Sequence, residues 1–334
     1  MSKILKKLTL SDICDRFSEV KNTVILFHMR PDGDAVGSAL SAKLLLEAAG
    51  SRAWCVCANE IPQRLSFLSE GIQKSSLVEN LPADFSIERI ITVDTASSAQ
   101  LGEMWERFGD EIEFMIDHHA KGEPYADYYV ASDAAATGEM IFDLSREMLA
   151  RGIIKVIPEK TDYCLYAAIS SDTGSFRYSN ATPKTHRCAA ELIEHGIDAS
   201  DINRRLFEIK TASSLRAMSL AIENMNVYCN GRISIVALDK DQIDRANILP
   251  EDCDMFIEAA RSVEGSEIAI AIRKTSENED FRVSMRTSGN ADVSSVCRHF
   301  GGGGHVKAAG CSVAAKNINE ALLLVLKEAE RQLV

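Results

Sequence analysis

Short apolar segments that end in acidic or histidine residues recur along the first half of this 334-residue chain. Residues 24–27, 90–93 and 114–116 are largely apolar, and each segment is followed immediately by such a residue. A fourth apolar segment, residues 165–169, ends three residues before Asp172. Apolar runs of this length, with several β-branched residues among them, predict buried strands of a parallel sheet.

Helical periodicity separates these predicted strands. Residues 38–49 place Leu40, Leu44 and Leu45 on one face, and the following Gly50 is typical of the end of a helix. Strand and helix alternate in this way to about residue 195, an order typical of parallel sheets with right-handed crossovers. We therefore expect an α/β fold with a parallel sheet in the larger, N-terminal domain.

The second half of the chain predicts a smaller α/β domain with a mixed sheet. Strands are expected at 232–238, 267–273 and 280–286, with a helix at 254–260 and a polar turn at 274–279. The pattern then predicts a short helix near 291–299, a glycine-rich loop at 301–305, a strand through 311–313 and a final helix from about 318.

Length and the order of elements predict two domains, because one hydrophobic core rarely organises more than about 300 residues. We expect a catalytic domain at 1–197, a helical connector at 198–226 and a substrate-binding domain at 227–334. In open parallel sheets, ligands bind in the crevice at the carboxyl ends of the strands. The active site is accordingly expected in the cleft between the two domains.

Composition and charge narrow the classes of protein to which the chain can belong. Hydrophobic residues make up 46% and charged residues 26%, as in an ordinary soluble protein. With 37 basic and 49 acidic residues the formal net charge is −12, which argues against the coating of long nucleic acid. No apolar run reaches the roughly 18 residues that a membrane span needs, and no secretory signal is evident, so we expect a cytoplasmic protein.

Nine cysteines are scattered along the chain without any C-x-x-C pair. In a chain of this length, such spacing predicts reduced, mostly buried thiols rather than a disulfide framework or a zinc site. A homodimer is compatible with the sequence, which leaves the oligomeric state open.

The residues near the ends of the predicted strands include types that bind metal ions. They are His28, Asp32, Asp34, Asp94, His118 and Asp172. Because the carboxyl ends of parallel strands meet at one edge of a sheet, we expect these side chains to converge. Mixed imidazole and carboxylate ligation suits manganese or a similar transition ion better than calcium, and the segment 28–34 lacks the later carboxylates of an EF-hand.

Six such ligands exceed what one divalent ion accommodates comfortably. Two ions about 3.5–4 Å apart, with Asp94 bridging them, would use the whole set and form a clamp for displacement at phosphorus. A water shared by the two ions would act as the nucleophile, since double coordination lowers its pKa. This arrangement favours the hydrolysis of phosphate esters.

A run of four glycines ahead of a histidine stands out in the second half. Gly301, Gly302, Gly303 and Gly304 would expose backbone N–H groups that can form an anion-binding nest, and His305 adds a donor beside them. The alternative reading is a flexible turn. Because the run lies downstream of Arg286, we interpret it as a clamp for a phosphate or nucleotide.

In combination these features resemble a known family. One set of residues resembles the signature of the DHH phosphoesterase superfamily. The set is His28, Asp32, Asp34, Asp94, Asp117, His118, His119 and Asp172. The segment 301–305 resembles the glycine-rich signature of the DHH-associated C-terminal domain, and the segment 172–177 looks most like the nanoRNase and pAp phosphatase branch. One departure is Thr287, which follows Arg286 where related enzymes carry a serine.

The resemblance implies a role for each residue. One manganese ion would be bound by His28, Asp32 and Asp94, and the other by Asp34, Asp94, His118 and Asp172; Mg²⁺ or Co²⁺ could substitute. His119 would face the scissile phosphate and donate to its oxygens or to the leaving group, while Asp117 would support the loop from behind. The catalytic centre would then comprise Asp94, His118, His119 and Asp172.

The resemblance implies manganese-dependent hydrolysis of very short oligoribonucleotides to mononucleotides, and of pAp to AMP and phosphate. Short RNA and pAp are the expected partners, since only a short molecule with a terminal end would reach both domains productively. Cleavage polarity is left open. The alternatives are a phosphodiesterase for linear products of cyclic dinucleotides, an exopolyphosphatase-like enzyme and a nucleotide-sensing module, although the intact ligand set argues against the last.

Overall fold

The computed structural model describes residues 4–274, 276 and 280–333, and the chain divides into two compact units. The first unit extends to Ile209 and the second begins at Lys210. The boundary falls inside the segment 198–226, so the helices of the expected connector are distributed between the two units.

The first unit is built on a five-stranded parallel sheet. Its strands are β1 (Thr23–Leu26), β2 (Ala53–Val56), β3 (Arg89–Val93), β4 (Ile112–Asp117) and β5 (Asp127–Val130). Its helices are α1 (Leu10–Ser18), α2 (Gly33–Ala48), α3 (Ser66–Ser69), α4 (Glu103–Phe108), α5 (Thr137–Ala150), α6 (Glu159–Asp172), α7 (Pro183–Glu194) and α8 (Ala199–Asn203). All neighbouring strands in this sheet are parallel, which confirms the predicted α/β fold.

Both faces of this sheet are covered. All four residues of β1 are buried, and alternate positions enter different clusters: Val24 and Leu26 pack in one, and Ile25 in the other. A strand with both faces in the core must be apolar throughout, which explains the continuous runs in the sequence. The polar residue of β1, Thr23, is accordingly the first of the strand.

The order of the strands defines where a ligand can bind. They are arranged β2-β1-β3-β4-β5, so the chain leaves β1 toward one side and returns to β3 on the other. Such a reversal opens a crevice at the carboxyl ends of the two central strands. His28 follows β1 and Asp94 follows β3, which brings both to this crevice.

The prediction of a strand at residues 165–169 is wrong, because these residues lie within helix α6. A short apolar run does not distinguish a strand from a buried helix, and two successive alanines favour the helix. Helix α6 packs closely on α2: a Cβ on Gly37 would lie 2.5 Å from the carbonyl oxygen of Cys164. Burial, rather than membership of the sheet, explains the apolar run.

Helix α2 also begins earlier than its apolar periodicity predicts. It starts at Gly33, with Asp32 as its N-cap, rather than near Ser38. The Asp32 carboxylate accepts hydrogen bonds from the backbone N–H groups of Asp34 and Ala35, a normal capping arrangement. Asp32 and Asp34 therefore belong to the start of the helix.

The second unit contains a mixed sheet, as predicted, and this sheet has six strands. Its strands are β6 (Met225–Tyr228), β7 (Ile233–Leu238), β8 (Ile268–Arg273), β9 (Phe281–Thr287), β10 (Gly303–His305) and β11 (Ala308–Val313), in the order β10-β11-β9-β8-β7-β6. Its helices are α9 (Ala212–Glu223), α10 (Lys240–Arg245), α11 (Met255–Arg261), α12 (Val293–His299) and α13 (Ile318–Glu330). Strands β7 and β8 are parallel, and the other neighbouring pairs are antiparallel.

Two short strands at the edges of this sheet escape the sequence pattern. Strand β6 exposes Asn226 and Val227, and β10 is made of two glycines and a histidine. Strand β6 has only four residues, none of them buried, and β10 has no apolar side chain, so neither gives the sequence signal of a half-buried strand. The polar turn expected at 274–279 lies largely outside the described residues.

Within the described part of the chain, no helix is both long enough and apolar enough to cross a membrane. The nine cysteines are free thiols, and seven of them are buried.

Candidate metal centre and active site

The six expected metal-binding residues converge beside the crevice between β1 and β3. Their donor atoms form groups whose members lie within 4.8 Å of one another. The groups are His28, Asp32 and Asp94; Asp34, His118 and Asp172; and Asp94, His118 and His119. Asp94 and His118 each belong to two groups, so the groups form one continuous cluster.

Asp94 occupies the centre of this cluster. Its Oδ2 lies 3.6 Å from Nε2 of His28, and its Oδ1 lies 3.7 Å from Nε2 of His118. The residue has φ of 54°, in the left-handed region that side chains rarely adopt, and its N–H donates to the carbonyl of Ile116 at 2.9 Å. Such strain is typical of functional sites, and here it directs one carboxylate toward both histidines.

His28 and His118 are oriented by backbone carbonyls. Nδ1 of His28 lies 3.0 Å from the carbonyl oxygen of Met29, and Nδ1 of His118 lies 3.3 Å from that of Ala134. A carbonyl only accepts hydrogen bonds, so each Nδ1 carries the proton and donates it. The Nε2 atoms are thereby directed at the carboxylates, in the tautomer that a metal-binding histidine requires.

Asp34 is a buried carboxylate held by three donors. It accepts hydrogen bonds from Ser38 Oγ at 2.8 Å, from the Thr137 N–H at 2.7 Å and from the Gly138 N–H at 2.9 Å. Its Oδ2 also lies 3.8 Å from Nε2 of His118. These donors fix the carboxylate in one orientation.

Asp172 is the last residue of α6, and its Oδ2 lies 3.4 Å from Nε2 of His118. Asn180 fastens this end of the helix, because its amide nitrogen donates to the carbonyl of Asp172 at 3.1 Å and to that of Ala135 at 3.0 Å. The expected ligand is therefore brought to the cluster, but by a helix instead of a strand.

The cluster carries an excess of negative charge. Burial raises the pKa of Asp34 well above its usual range, and repulsion from Asp94, Asp172 and Asp32 adds to the effect. Burial, aided by Asp94 and Asp32, likewise raises the pKa of Asp172 to about 6 although His118 opposes it. Burial by itself would lower the pKa of His28, but hydrogen bonds to Asp32 and Asp94 outweigh it and raise this pKa to about 11.

Carboxylates crowded in a buried site attract positive charge, as the directions of these pKa shifts indicate. A proton or a metal ion between the Nε2 atoms and the carboxylates relieves the repulsion. Four carboxylates and two suitably oriented imidazoles provide the oxygen and nitrogen donors that divalent transition ions prefer. The residues therefore fit divalent metal ions.

His119 differs from His118 in its partner. Its Nδ1 lies 2.7 Å from Oδ1 of the buried Asp117, and this hydrogen bond is the main reason that its pKa is raised to about 9. The side chain of His119 is partly exposed, and with Nδ1 engaged only Nε2 remains to contact a ligand. A protonated imidazole so held can donate to an anion.

Sequence reasoning missed the residues that support the ligands. They are Ser38, Thr137, Gly138 and Asn180. The small residues 134–138 ahead of an amphipathic segment could have indicated the start of α5. Nothing in the sequence indicates that this helix begins against Asp34, 103 residues earlier than Thr137.

In the second unit, Arg286 and His305 lie on one row of the sheet. Ala308 of β11 pairs with Arg286 of β9 on one side and with His305 of β10 on the other. Residues directly opposite one another in antiparallel strands project from the same face. The guanidinium and the imidazole therefore belong to one face.

The glycine run has a different local structure from the expected one. The N–H groups of Gly301 and Gly302 donate to the carbonyls of Arg298 and Cys297, which is the usual capping pattern at the end of a helix, here α12. The prediction of a nest of free backbone N–H groups is therefore wrong at Gly301 and Gly302. Gly302 is also required sterically, because a Cβ there would lie 2.3 Å from the carbonyl oxygen of Gly310.

Comparison with known proteins agrees with this arrangement. Residues 22–169 match the DHH family, N-terminal domain, and residues 231–331 match the DHHA1 domain. A relative from Thermus thermophilus, named bifunctional oligoribonuclease and PAP phosphatase NrnA, is 30% identical over 313 residues, which cover 92% of this chain and 89% of the relative. A protein of the same name from Bacillus subtilis is 28% identical over 295 residues, which cover 87% of this chain and 90% of that relative.

Among solved structures, an exopolyphosphatase-related protein from Bacteroides fragilis has a similar fold. Its TM-score is 0.86 at 23% identity, covering 99% of this chain and 98% of that one. Members of the DHH group are metal-dependent phosphoesterases. The cluster of aspartates and histidines described above could hold the metal ions that such enzymes need. The chain belongs to the DHH phosphoesterase superfamily, with a DHHA1 domain, in the branch of the nanoRNases and pAp phosphatases.

Proposed function

We propose that the protein is a manganese-dependent hydrolase of very short oligoribonucleotides, which it converts to mononucleotides, and of pAp, which it converts to AMP and phosphate. The observation that carries the proposal is the position of Asp94, whose two carboxylate oxygens face two different histidines, His28 and His118. A shared carboxylate of this kind suits a pair of ions better than a single one. The names of the relatives support the choice of substrates.

The ligands divide into two sets in this proposal. His28, Asp32 and Asp94 would hold one ion, and Asp34, Asp94, His118 and Asp172 would hold the other. When bound, a pair of divalent ions supplies a water nucleophile at neutral pH and polarises the scissile phosphate. Manganese suits the mixed nitrogen and oxygen donors, and Mg²⁺ or Co²⁺ are the expected substitutes.

His119 is proposed to contact the substrate. Its hydrogen bond to Asp117 favours the protonated imidazole, so Nε2 carries a proton that it can donate to a phosphate oxygen or to the leaving group. Asp117 holds the ring and supports its charge without touching the substrate.

Arg286 and His305 are proposed to bind the part of the substrate beyond the scissile bond. Two donors on one face of the sheet suit a second phosphate, and an arginine can bind it through two nitrogens. Gly303 and Gly304 leave this edge of the sheet without side chains, so a nucleotide can approach the backbone. Gly302 contributes by capping α12 and packing on β11.

We also propose that the protein works in the cytoplasm. Nine free thiols, seven of them buried, fit a reducing compartment.

A panel of substrates tests the proposal. The purified chain with Mn²⁺ is offered a 5′-labelled RNA dinucleotide, a labelled 24-mer, pAp, a linear dinucleotide of the kind released from cyclic dinucleotides, and polyphosphate. Fast release of mononucleotides from the RNA dinucleotide and of phosphate from pAp supports it. Preference for the 24-mer or for polyphosphate contradicts the proposed size selection, and binding without hydrolysis would indicate a sensor.

A further inference from the structure

Thr137 contacts a carboxylate from each of the two proposed ligand sets. It is the first residue of α5 and is fully buried. Its N–H donates to Oδ2 of Asp34 at 2.7 Å, and its hydroxyl donates to Oδ1 of Asp94 at 2.9 Å. One residue thus holds two acids that come from different elements of the first unit.

The Thr137 hydroxyl determines the orientation of the Asp94 carboxylate. Rotation of an aspartate carboxylate about its last bond is soft, so its two oxygens are not fixed by the side chain itself. Oδ1 accepts from Thr137 and faces His118, whereas Oδ2 faces His28 at 3.6 Å. Because a β-branched side chain has few rotamers, the Thr137 hydroxyl is itself well placed to fix this orientation.

The backbone of the same helical turn fixes Asp34. The N–H groups of Thr137 and Gly138 donate to different oxygens of the Asp34 carboxylate. They are free to do so because the first N–H groups of a 14-residue helix lack partners within the helix. The positive end of α5 also favours the charged form of a carboxylate placed there.

We propose that Thr137 is a positioning residue that holds Asp34 and Asp94 in register and so sets the spacing of the two metal positions. Its hydroxyl acts on the shared carboxylate and therefore affects both ions. The inference rests on the proposed function only in assuming that two divalent ions bind.

Thr137→Val is the direct test. Valine keeps the β-branch and the backbone N–H to Asp34 but removes the donor to Asp94. Loss of a hydrogen bond that orients a metal ligand typically weakens metal affinity about 10–100-fold. We expect that loss for both ions, whereas Thr137→Ser, which keeps the hydroxyl, should bind both with nearly wild-type affinity.

Ser38→Ala provides a matched control. The Ser38 hydroxyl donates to Oδ1 of Asp34 at 2.8 Å, so its removal also deletes one hydroxyl donor to a buried carboxylate. Asp34 belongs to one proposed ligand set only. We expect Ser38→Ala to weaken one ion and leave the other unchanged.

The measurement is calorimetric titration of the metal-free full chain with MnCl₂, joined to electron paramagnetic resonance of the protein with two equivalents of Mn²⁺. The resonance spectrum reports magnetic coupling between neighbouring ions, which a merely structural role of Thr137 would not alter. Weakened binding of both ions and reduced coupling in Thr137→Val, with recovery in Thr137→Ser, would support the inference. Two ions bound with wild-type affinity and coupling in Thr137→Val would overturn it.

Two further outcomes are distinguishable. If Thr137→Val does not fold, Thr137→Ala and Thr137→Ser are compared, since they differ from each other only in the hydroxyl, and equal metal binding by both would overturn the inference. If the wild-type chain itself binds fewer than two Mn²⁺ ions, the two-ion proposal fails first, and the role of Thr137 fails with it.

Discussion

At the scale of single residues, His119 separates metal binding from contact with the substrate. Its Nδ1 is hydrogen-bonded to Asp117, but the side chain lies beside Asp94 and His118, so proximity alone does not separate a metal ligand from a substrate contact. We expect His119→Ala to retain two Mn²⁺ ions but to lower kcat about 10²–10⁴-fold, the usual range for loss of a proton donor. Loss of one ion, measured by calorimetry, would instead identify His119 as a ligand.

His305 tests the proposed role of the second unit. His305→Ala should raise KM for an RNA dinucleotide and leave hydrolysis of a small aryl phosphodiester unchanged, because the small substrate lacks the distal phosphate. Steady-state kinetics on both substrates is the measurement, with His299→Ala on the exposed end of α12 as the control. Equal losses on the two substrates would assign His305 to the chemistry.

The sequence predicts the ligands better than their supports. Asp94 directly follows β3 and His28 lies two residues after β1, and the rule that strand ends converge is sufficient to bring them together. Ser38 and Thr137 carry no such signal, since hydroxyl residues are common and their value depends on which carboxylate lies opposite. That depends on the packing of α2 against α5, which periodicity does not specify.

At the scale of elements, Gly302 and Gly303 are adjacent in the glycine run but differ in the space available for a side chain. Gly302→Ala should destabilise the fold by about 1–3 kcal/mol, because its Cβ would lie 2.3 Å from the carbonyl oxygen of Gly310. Gly303→Ala meets nothing within 4 Å and should change stability by less than about 0.5 kcal/mol. Thermal unfolding of both variants checks the pair.

Gly303→Ala also tests whether a substrate approaches this strand. If the bare edge contacts a nucleotide, the added methyl group should raise KM for the dinucleotide while the protein remains folded. An unchanged KM would mean that the glycine run serves the fold alone.

The bounds of an element were predictable where its hydrophobic pattern is compatible with only one kind of secondary structure. Strands β7, β8 and β9 have the alternation or apolar character of a core sheet, and their expected bounds lie within one residue of the observed ones. The apolar run at residues 165–169 is compatible with a strand or a buried helix, and its packing against Gly37 of α2 shows that it is a helix. Strand β10 owes its existence to pairing with β11, which local sequence does not encode.

At the scale of the whole molecule, metal should stabilise one unit selectively. All the proposed ligands lie in the first unit, which extends to Ile209. A ligand at 100 times its Kd stabilises the folded state by about 2.7 kcal/mol per site. Hydrogen exchange should therefore slow in α2, α5 and α6 on addition of Mn²⁺ and remain unchanged in β8 and β9 at the centre of the second sheet.

Chelation should reverse this effect, because the carboxylates then repel one another without compensation. Equal protection of both units would contradict the assignment of the metal to the first unit alone. Ca²⁺ at the same concentration is a useful control, since it prefers more oxygen ligands than this cluster provides.

The most direct measurement of the central claim is hydrolysis of a labelled RNA dinucleotide and of pAp by the wild-type chain and by Asp94→Asn. Mn²⁺ is titrated in each reaction, and circular dichroism and bound manganese are recorded in parallel. The account predicts turnover that depends on Mn²⁺ in the wild type and none in Asp94→Asn, which should fold but lose manganese. Normal manganese content and retained turnover in Asp94→Asn would contradict it.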